Sequence, residues 1–114
     1  SGSAIRCTVR ENGAMVGRVG PGKYFVLTAE PGAHKFTTKT EATDELNIEV
    51  EPDETTFVKC KIAMGIMAGR PNLSPSSKAD FDAKAGKLKP VDAEEMAKDI
   101  AEDEKDKAAA TPAT

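Results

Sequence analysis

The stretch GKYFVLTAEPGAHKFTTKT, residues 22–40, decides the fold that this sequence predicts. It contains two runs rich in aromatic and β-branched residues, separated by residues 30–33. Pro31 presets a negative φ and Gly32 accepts a positive one, which is the residue order of a type II turn. We therefore expect the two runs to fold back on each other as a central hairpin.

Alternation of apolar and polar residues predicts two further strands before this hairpin. In the first of them, Ile5, Cys7 and Val9 share one face. Asn12-Gly13 is a strong signal for a two-residue hairpin turn, and it leads into a returning strand over residues 14–19. The chain is therefore expected to begin with a hairpin of its own.

The clearest strand signal comes after the central hairpin. Leu46, Ile48 and Val50 alternate with polar residues, as in a half-buried strand. Further along, residues 74–85 favour a short helix and residues 88–91 favour an edge strand that contains a proline.

Between these elements lies a run that we predict as a strand over residues 55–63, with Val58, Cys60 and Ile62 facing the core. Residues 64–73 then show no clear period and contain glycines and a proline, which predicts a structured loop or a broken strand. This loop is a candidate interaction site. Its candidate contact residues are Met64, Met67, Arg70, Asn72 and Leu73.

The C-terminal segment predicts a helix over residues 92–104. Asp92 with Glu95 three residues later has the spacing of a capping box. Met96 and Ile100 then lie one helical turn apart and give the helix a narrow apolar stripe. We expect this stripe to lie against a sheet.

About seven strand-like runs predict a single antiparallel β-sandwich of the immunoglobulin or prealbumin type. Parallel pairing is not expected, because it requires crossover connections that this pattern lacks. The predicted domain spans residues 4–104, with the helix at about 92–104, and residues 105–114 are predicted to be a disordered tail.

Composition and charge argue against several classes of protein. The chain has 114 residues, 39% of them hydrophobic and 4% aromatic, which predicts one domain with a thin aliphatic core. Its net charge is −3 and its Lys and Arg residues are scattered, which argues against a nucleic-acid partner. No apolar run approaches the ~18 residues of a membrane span, so a membrane tether would depend on a leader absent from this sequence.

Two patterns of catalytic sites are incomplete. Residues 17–23, GRVGPGK, fit the start of a phosphate-binding loop, but Tyr24 stands where Ser or Thr is required and a strand is predicted to follow. Gly17 itself indicates a bulge or a close approach of another part of the chain. His34 is the single histidine, and we interpret it as a partly buried strand residue. The sequence therefore predicts no enzyme and no cofactor.

The sulfur-bearing side chains allow several interpretations. Cys7 and Cys60 both face inward on their predicted strands, so they could form a disulfide worth about 4 kcal/mol in an oxidising compartment. In a reducing cytosol both would be buried thiols. Met64 and Met67 could offer soft ligands to Cu(I) beside Cys60, but methionine more often fills gaps in a core, and we predict no metal site.

Several short motifs follow one another in a distinctive order. They are Asn12-Gly13, Gly22-Lys23-Tyr24-Phe25, Glu30-Pro31-Gly32-Ala33-His34, Glu54-Thr55-Thr56-Phe57-Val58, Met64-Gly65, Gly69-Arg70-Pro71-Asn72-Leu73 and an acidic C-terminal helix. This order resembles a bacterial periplasmic lipoprotein family of unknown function that is related to the PEGA-type β-sandwich domains.

The resemblance implies a sandwich exported to the bacterial cell envelope, in the periplasm or attached to the outer membrane, with no assigned activity. It carries over no catalytic residues. Lipid-attachment sites require a small residue before the cysteine, whereas Arg6 precedes Cys7. Cys7 is therefore not interpreted as a lipid-attachment site.

Two functional hypotheses follow. The first is a non-enzymatic envelope domain that binds a protein or cell-wall partner through its sheet edges or through residues 64–73. The alternative is a periplasmic carrier of a small molecule or metal, which requires a concave apolar pocket of at least ~300 Å³. Such a pocket would lie between the sheets or under the stripe of Met96 and Ile100.

Overall fold

The structure is a computed structural model that describes residues 6–39, 43–64 and 69–110. These residues are mainly β, with several sheets and a long C-terminal helix. The strands are β1 (Cys7–Glu11), β2 (Ala14–Val19), β3 (Lys23–Tyr24), β4 (Gly32–Lys39), β5 (Thr43–Val50), β6 (Val58–Met64), β7 (Gly69–Pro75) and β8 (Lys89–Pro90). The helices are α1 (Lys78–Lys84), which a 3₁₀ turn (Ala85–Lys87) extends, and α2 (Ala93–Ala110).

The main sheet is antiparallel and has the strand order β2-β1-β4-β5. The turn predicted at Asn12-Gly13 is confirmed, because both residues have positive φ, 52° and 83°, as a two-residue hairpin turn demands. The register shifts between Val9 and Arg10 of β1, so β2 carries a bulge opposite them. Ile5 lies outside the described residues.

The central hairpin predicted over residues 22–40 is wrong. β3 pairs with β8 instead, and β4 pairs with β1 and β5. No turn forms at Pro31-Gly32, because Gly32, with a φ of 126°, is already the first residue of β4. The expectation that parallel pairing is absent is also wrong, because β3 and β8 run parallel. The connection between these two strands, residues 25–88, contains most of the chain.

The main core cluster lies on one face of the main sheet. Cys7, Val9, Phe36 and Leu73 are buried there in one cluster, with half-buried Leu46 and Ile48 against them. Leu73 comes from the β6–β7 hairpin, which packs against β4 and β5 through β7. The alternation predicted for residues 46–50 is therefore confirmed.

A second, smaller cluster consists of aromatic rings. Phe81 of α1 meets the ring of Tyr24 edge-on at 5.1 Å and the ring of Phe57 at 5.7 Å, between centroids. Ser77 begins α1 by accepting a hydrogen bond from the backbone of Asp80. The short helix is thus present, although it starts later than residue 74.

Helix α2 lies against β2. The predicted cap is confirmed, because the Asp92 side chain accepts from the backbone N–H of Glu95 at 2.9 Å. Asp103 forms a bidentate pair with Arg10 at 2.7 and 2.8 Å, and the Arg10 hydrogen bond holds the pKa of Asp103 below its usual value. Lys107 donates to the Gly13 carbonyl at 2.6 Å.

The helix continues past residue 104, so the predicted tail is wrong for residues 105–110. Their sequence, KDKAAA, consists mainly of strong helix formers, and the bond from Lys107 ties this part of the helix to the first hairpin turn. Residues 111–114 lie outside the described part of the chain. Neither described helix has the length and hydrophobicity to cross a bilayer.

Candidate functional site

The candidate site is the hairpin of β6 and β7. Sequence patterning assigned residues 64–73 to an interaction loop, but Met64 ends β6, while Arg70, Asn72 and Leu73 lie in β7. Leu73 is only 7% exposed and belongs to the core, so its role as a contact residue is wrong. Met67 lies outside the described residues.

Backbone contacts establish which residues of the hairpin face each other through hydrogen bonds. Ser76 donates to the Phe57 carbonyl at 2.8 Å, which identifies that opposed pair as hydrogen-bonded. Hydrogen-bonded and non-hydrogen-bonded residue pairs alternate in an antiparallel ladder. The backbones of Lys59 and Lys61 therefore also form hydrogen bonds with β7. The residues that alternate with these lysines are Val58, Cys60 and Ile62. Their backbone N–H and C=O groups therefore point away from β7.

The outer edge of β7 cannot accept another strand readily. Pro71 and Pro75 stand at two of its outward positions and have no N–H to donate. Leu73 stands between them, and its N–H is taken by the Asp44 carboxylate at 2.7 Å. Every N–H of this edge from residue 71 to residue 75 is thus absent or satisfied, as natural sheets protect their edges.

The outer edge of β6 lacks this protection. Within the described residues β6 pairs with β7 alone, and the outward positions Val58, Cys60 and Ile62 each keep an N–H and a C=O. An edge of this kind is a template for an added strand. The hairpin therefore has one closed edge and one open edge.

Apolar side chains accompany the open edge. Val58 and Ile62 share the inward face of β6 with Cys60, as the alternation predicts, but they are 41% and 38% exposed and are therefore not buried in the core. Among the residues that the structure describes, β6 and β7 form a two-stranded sheet, and β7 is the strand that packs against β4 and β5. The face of β6 that carries these two side chains is therefore only partly covered.

A disulfide holds β6 in place. Cys60 is bonded to Cys7 of β1, with the Cα atoms 6.6 Å apart. Cys7 is 2% exposed and Cys60 packs against the same core cluster. The bond fixes the open edge relative to the main sheet, so a partner strand would meet a preorganised template.

The opposite face of β6 is cationic. Lys59 and Lys61 project there, and the Lys59 ammonium lies 2.9 Å from the Asp80 carboxylate. This contact, together with the Ser76 hydroxyl, lowers the pKa of Asp80 below its usual value. Lys61 is exposed and meets no carboxylate in the described parts of the chain.

A separate groove of about 480 Å³ lies beside His34 at one end of the main sheet. The ring donates from Nε2 to the Glu30 carbonyl and from Nδ1 to the Glu11 carboxylate, both at 2.6 Å, and it stacks on Phe36. These two acceptors, with the charge of Glu49 adding to them, raise the pKa of His34 above its ordinary value of 6.5. Only the imidazolium can donate from both nitrogens.

We expect stability to fall as the pH rises through the raised pKa of His34. The folded-state pKa lies above that of the unfolded chain, so this stabilisation is fully present below about pH 6.5 and is lost above the folded-state value. Denaturant unfolding across this range, with an NMR titration of the one imidazole, measures both quantities. His34→Gln should remove the pH dependence, and a folded-state pKa at or below 6.5 would contradict the prediction.

Neither groove that the structure shows is an enclosed apolar pocket. The first is open and lined by polar groups such as Glu11, Lys35 and Asn47. A second, of about 270 Å³, lies between β1, β2 and α2 and is lined by charged side chains only. In the described ranges no three His, Cys, Asp or Glu residues are arranged to hold a metal ion.

The closed edge of β7 is the part of this site that the sequence signals. Pro71 and Pro75 are four residues apart, so they fall on the same side of a ladder, and this spacing is compatible with a protected edge strand. Pro71 among glycines is also a loop signal, and the sequence alone does not distinguish the two. No local signal shows that the neighbouring strand lacks a partner, because pairing is a tertiary property.

Comparisons with known proteins leave the family open. No family model matches the chain, so its resemblance to the PEGA-type family stays a prediction. No solved structure matches either. A protein of Haemophilus influenzae, described as uncharacterized, is 26% identical over 88 residues. That alignment covers 76% of this chain and 52% of the relative, so the chain spans about half the length of the curated relative it matches.

Proposed function

We propose that this protein is a non-enzymatic domain of the bacterial cell envelope that binds a protein partner by adding a strand to the open edge of β6. The observation that supports this function is the contrast between the two edges of one hairpin. The β7 edge is closed by Pro71, Pro75 and the bond from Leu73 to Asp44. The β6 edge keeps its backbone donors and acceptors beside exposed Val58 and Ile62.

The disulfide supports the envelope as the compartment. Disulfides persist in oxidising environments and are rare in the cytosol. The bond between Cys7 and Cys60 joins two layers of the domain and is partly buried, as expected of a structural rather than a regulatory disulfide. The two layers also favour the proposal that the fold is a small sandwich, with the β6–β7 hairpin as its second sheet.

Val58→Pro tests the proposed binding mode. This change removes an outward N–H and leaves the hydrogen bonds between β6 and β7 intact, because the N–H of residue 58 does not point toward β7. Val58→Thr is the matched control, since it keeps the N–H and a β-branched shape. Capture of partners from a bacterial envelope extract should fall about tenfold or more with Val58→Pro and persist with Val58→Thr.

Amide hydrogen exchange provides the second measurement. In the free protein the amides of Val58, Cys60 and Ile62 should exchange faster than those of Lys59 and Lys61, and the captured partner should protect the first three. Equal capture by the wild type and Val58→Pro, or a captured partner that leaves these amides unprotected, would overturn the proposal. Neither groove supports the alternative function of a carrier, because the first is open and partly polar and the second is lined by charged side chains.

A further inference from the structure

The open edge of β6 presents two faces of different chemistry to an incoming strand. Opposed residues of paired strands place their side chains on the same face of the sheet. One face of β6 offers the exposed apolar side chains of Val58 and Ile62, and the other offers Lys59 and Lys61. A strand that fills this edge therefore meets apolar and cationic positions in alternation.

The two lysines differ in whether a carboxylate already pairs with them. Lys59 is already neutralised by Asp80, whose carboxylate lies 2.9 Å from the ammonium. Lys61 is exposed, and no carboxylate among the described residues pairs with it. An acidic side chain opposite Lys61 would gain a favourable cross-strand pair, while a basic one would be repelled. Lys61 is thus the position of this edge that can select a charge.

A second copy of this chain is a poor occupant. Pairing two β6 edges in antiparallel fashion would place lysine opposite lysine, and like charges directly opposite each other are destabilising. The acidic edge of the main sheet, β5, has β7 packed against it, and Asp44 is held there by the Leu73 amide. Neither of these two edges of a second copy therefore fits the open edge of β6 well.

We propose that the strand added to β6 is an extended segment of another protein in which apolar and acidic side chains alternate, and that Lys61 selects the acidic side chain. This inference rests on the strand-addition function proposed above. It adds the chemistry of the partner, which backbone pairing alone does not determine.

Two synthetic peptides test this selection with the full, oxidised chain. TEVEVET and TKVKVKT share length and β propensity and differ only in charge. Fluorescence anisotropy of the labelled peptides should show about tenfold tighter binding of TEVEVET, since exchanging a favourable cross-strand pair for a like-charge pair has an effect of that size. The preference should weaken as salt is added, because the pair is exposed.

Two variants with the same change of net charge assign the effect to its residue. Lys61→Glu should reverse the preference, so that TKVKVKT binds more tightly. Lys98→Glu, at an exposed position of α2, should leave the preference unchanged. An equal loss of preference in both variants would show that net charge rather than Lys61 discriminates, and would overturn the proposal.

Other outcomes separate this inference from the function on which it rests. If Val58→Pro abolishes partner capture while the wild type binds both peptides equally or neither, the inference fails and strand addition stands. If Val58→Pro captures partners as well as the wild type and neither peptide binds, both fail. Concentration-dependent self-association in sedimentation experiments that Val58→Pro abolishes would assign the edge to a second copy and also overturn the inference.

Discussion

Reduction of the disulfide between Cys7 and Cys60 is expected to lower the free energy of unfolding by about 4 kcal/mol. The two residues are 53 positions apart, and opening a loop of that size returns conformational entropy to the unfolded chain. Small domains have about 5–15 kcal/mol of stability in total. The reduced protein should therefore be folded only marginally, and β6 should lose its attachment to the main sheet.

Replacing both cysteines with alanine separates the crosslink from the packing of the sulfur atoms. Thr38 is 1% exposed, and its hydroxyl lies 3.7 Å from the Cys7 sulfur, which accepts from it. Cys7→Ala with Cys60→Ala leaves this buried hydroxyl without that acceptor, so a further loss of about 1–3 kcal/mol is expected beyond reduction.

Urea unfolding of the oxidised wild type, the reduced wild type and the double variant measures the three stabilities. The order of stability should be oxidised, reduced, then double variant. Equal unfolding free energies for the oxidised and reduced wild type would contradict the prediction. So would two free thiols found by mass spectrometry in the native protein purified from an oxidising compartment.

Gly17→Ala is expected to destabilise the protein by about 1–3 kcal/mol through overpacking. A Cβ at this position would lie 2.4 Å from two ring carbons of Phe25 and 2.8 Å from a third. The ring cannot move away freely, because Phe25 packs against the core cluster. Thermal or denaturant unfolding gives the size of the loss.

Two matched variants establish the cause. Gly20→Ala should change stability by less than about 0.5 kcal/mol, since its Cβ would meet only the flexible Arg6 side chain at 3.4 Å. In a Phe25→Leu background, Gly17→Ala should be less damaging, because the smaller side chain leaves room for the methyl group. An undiminished loss in that background would show that the backbone at Gly17, rather than the ring, is responsible.

The sequence predicted the elements whose signals are local. Asn12-Gly13 predicted the first hairpin because a two-residue turn needs two residues that tolerate positive φ. The spacing of Asp92 and Glu95 located the start of α2, since the cap acts within one helical turn. The inward face of β1 also placed Cys7 in the core.

The candidate site was only partly predictable. Cys60 was assigned to the inward face of β6, and it lies there, bonded to Cys7. The same alternation placed Val58 and Ile62 on that face, but they stay partly exposed, because alternation indicates which residues share a face and not whether other residues cover it. The interaction loop was misplaced because prolines in an edge strand resemble loop signals.

By itself, the sequence determined where most strands and the long helix begin, and which residues share a face. Only the tertiary structure decided which strands pair, that β3 joins β8 instead of β4, and that β6 keeps a free edge. The reason is physical: turns, caps and alternation act over a few neighbouring residues, whereas strand pairing depends on contacts between residues far apart in the chain.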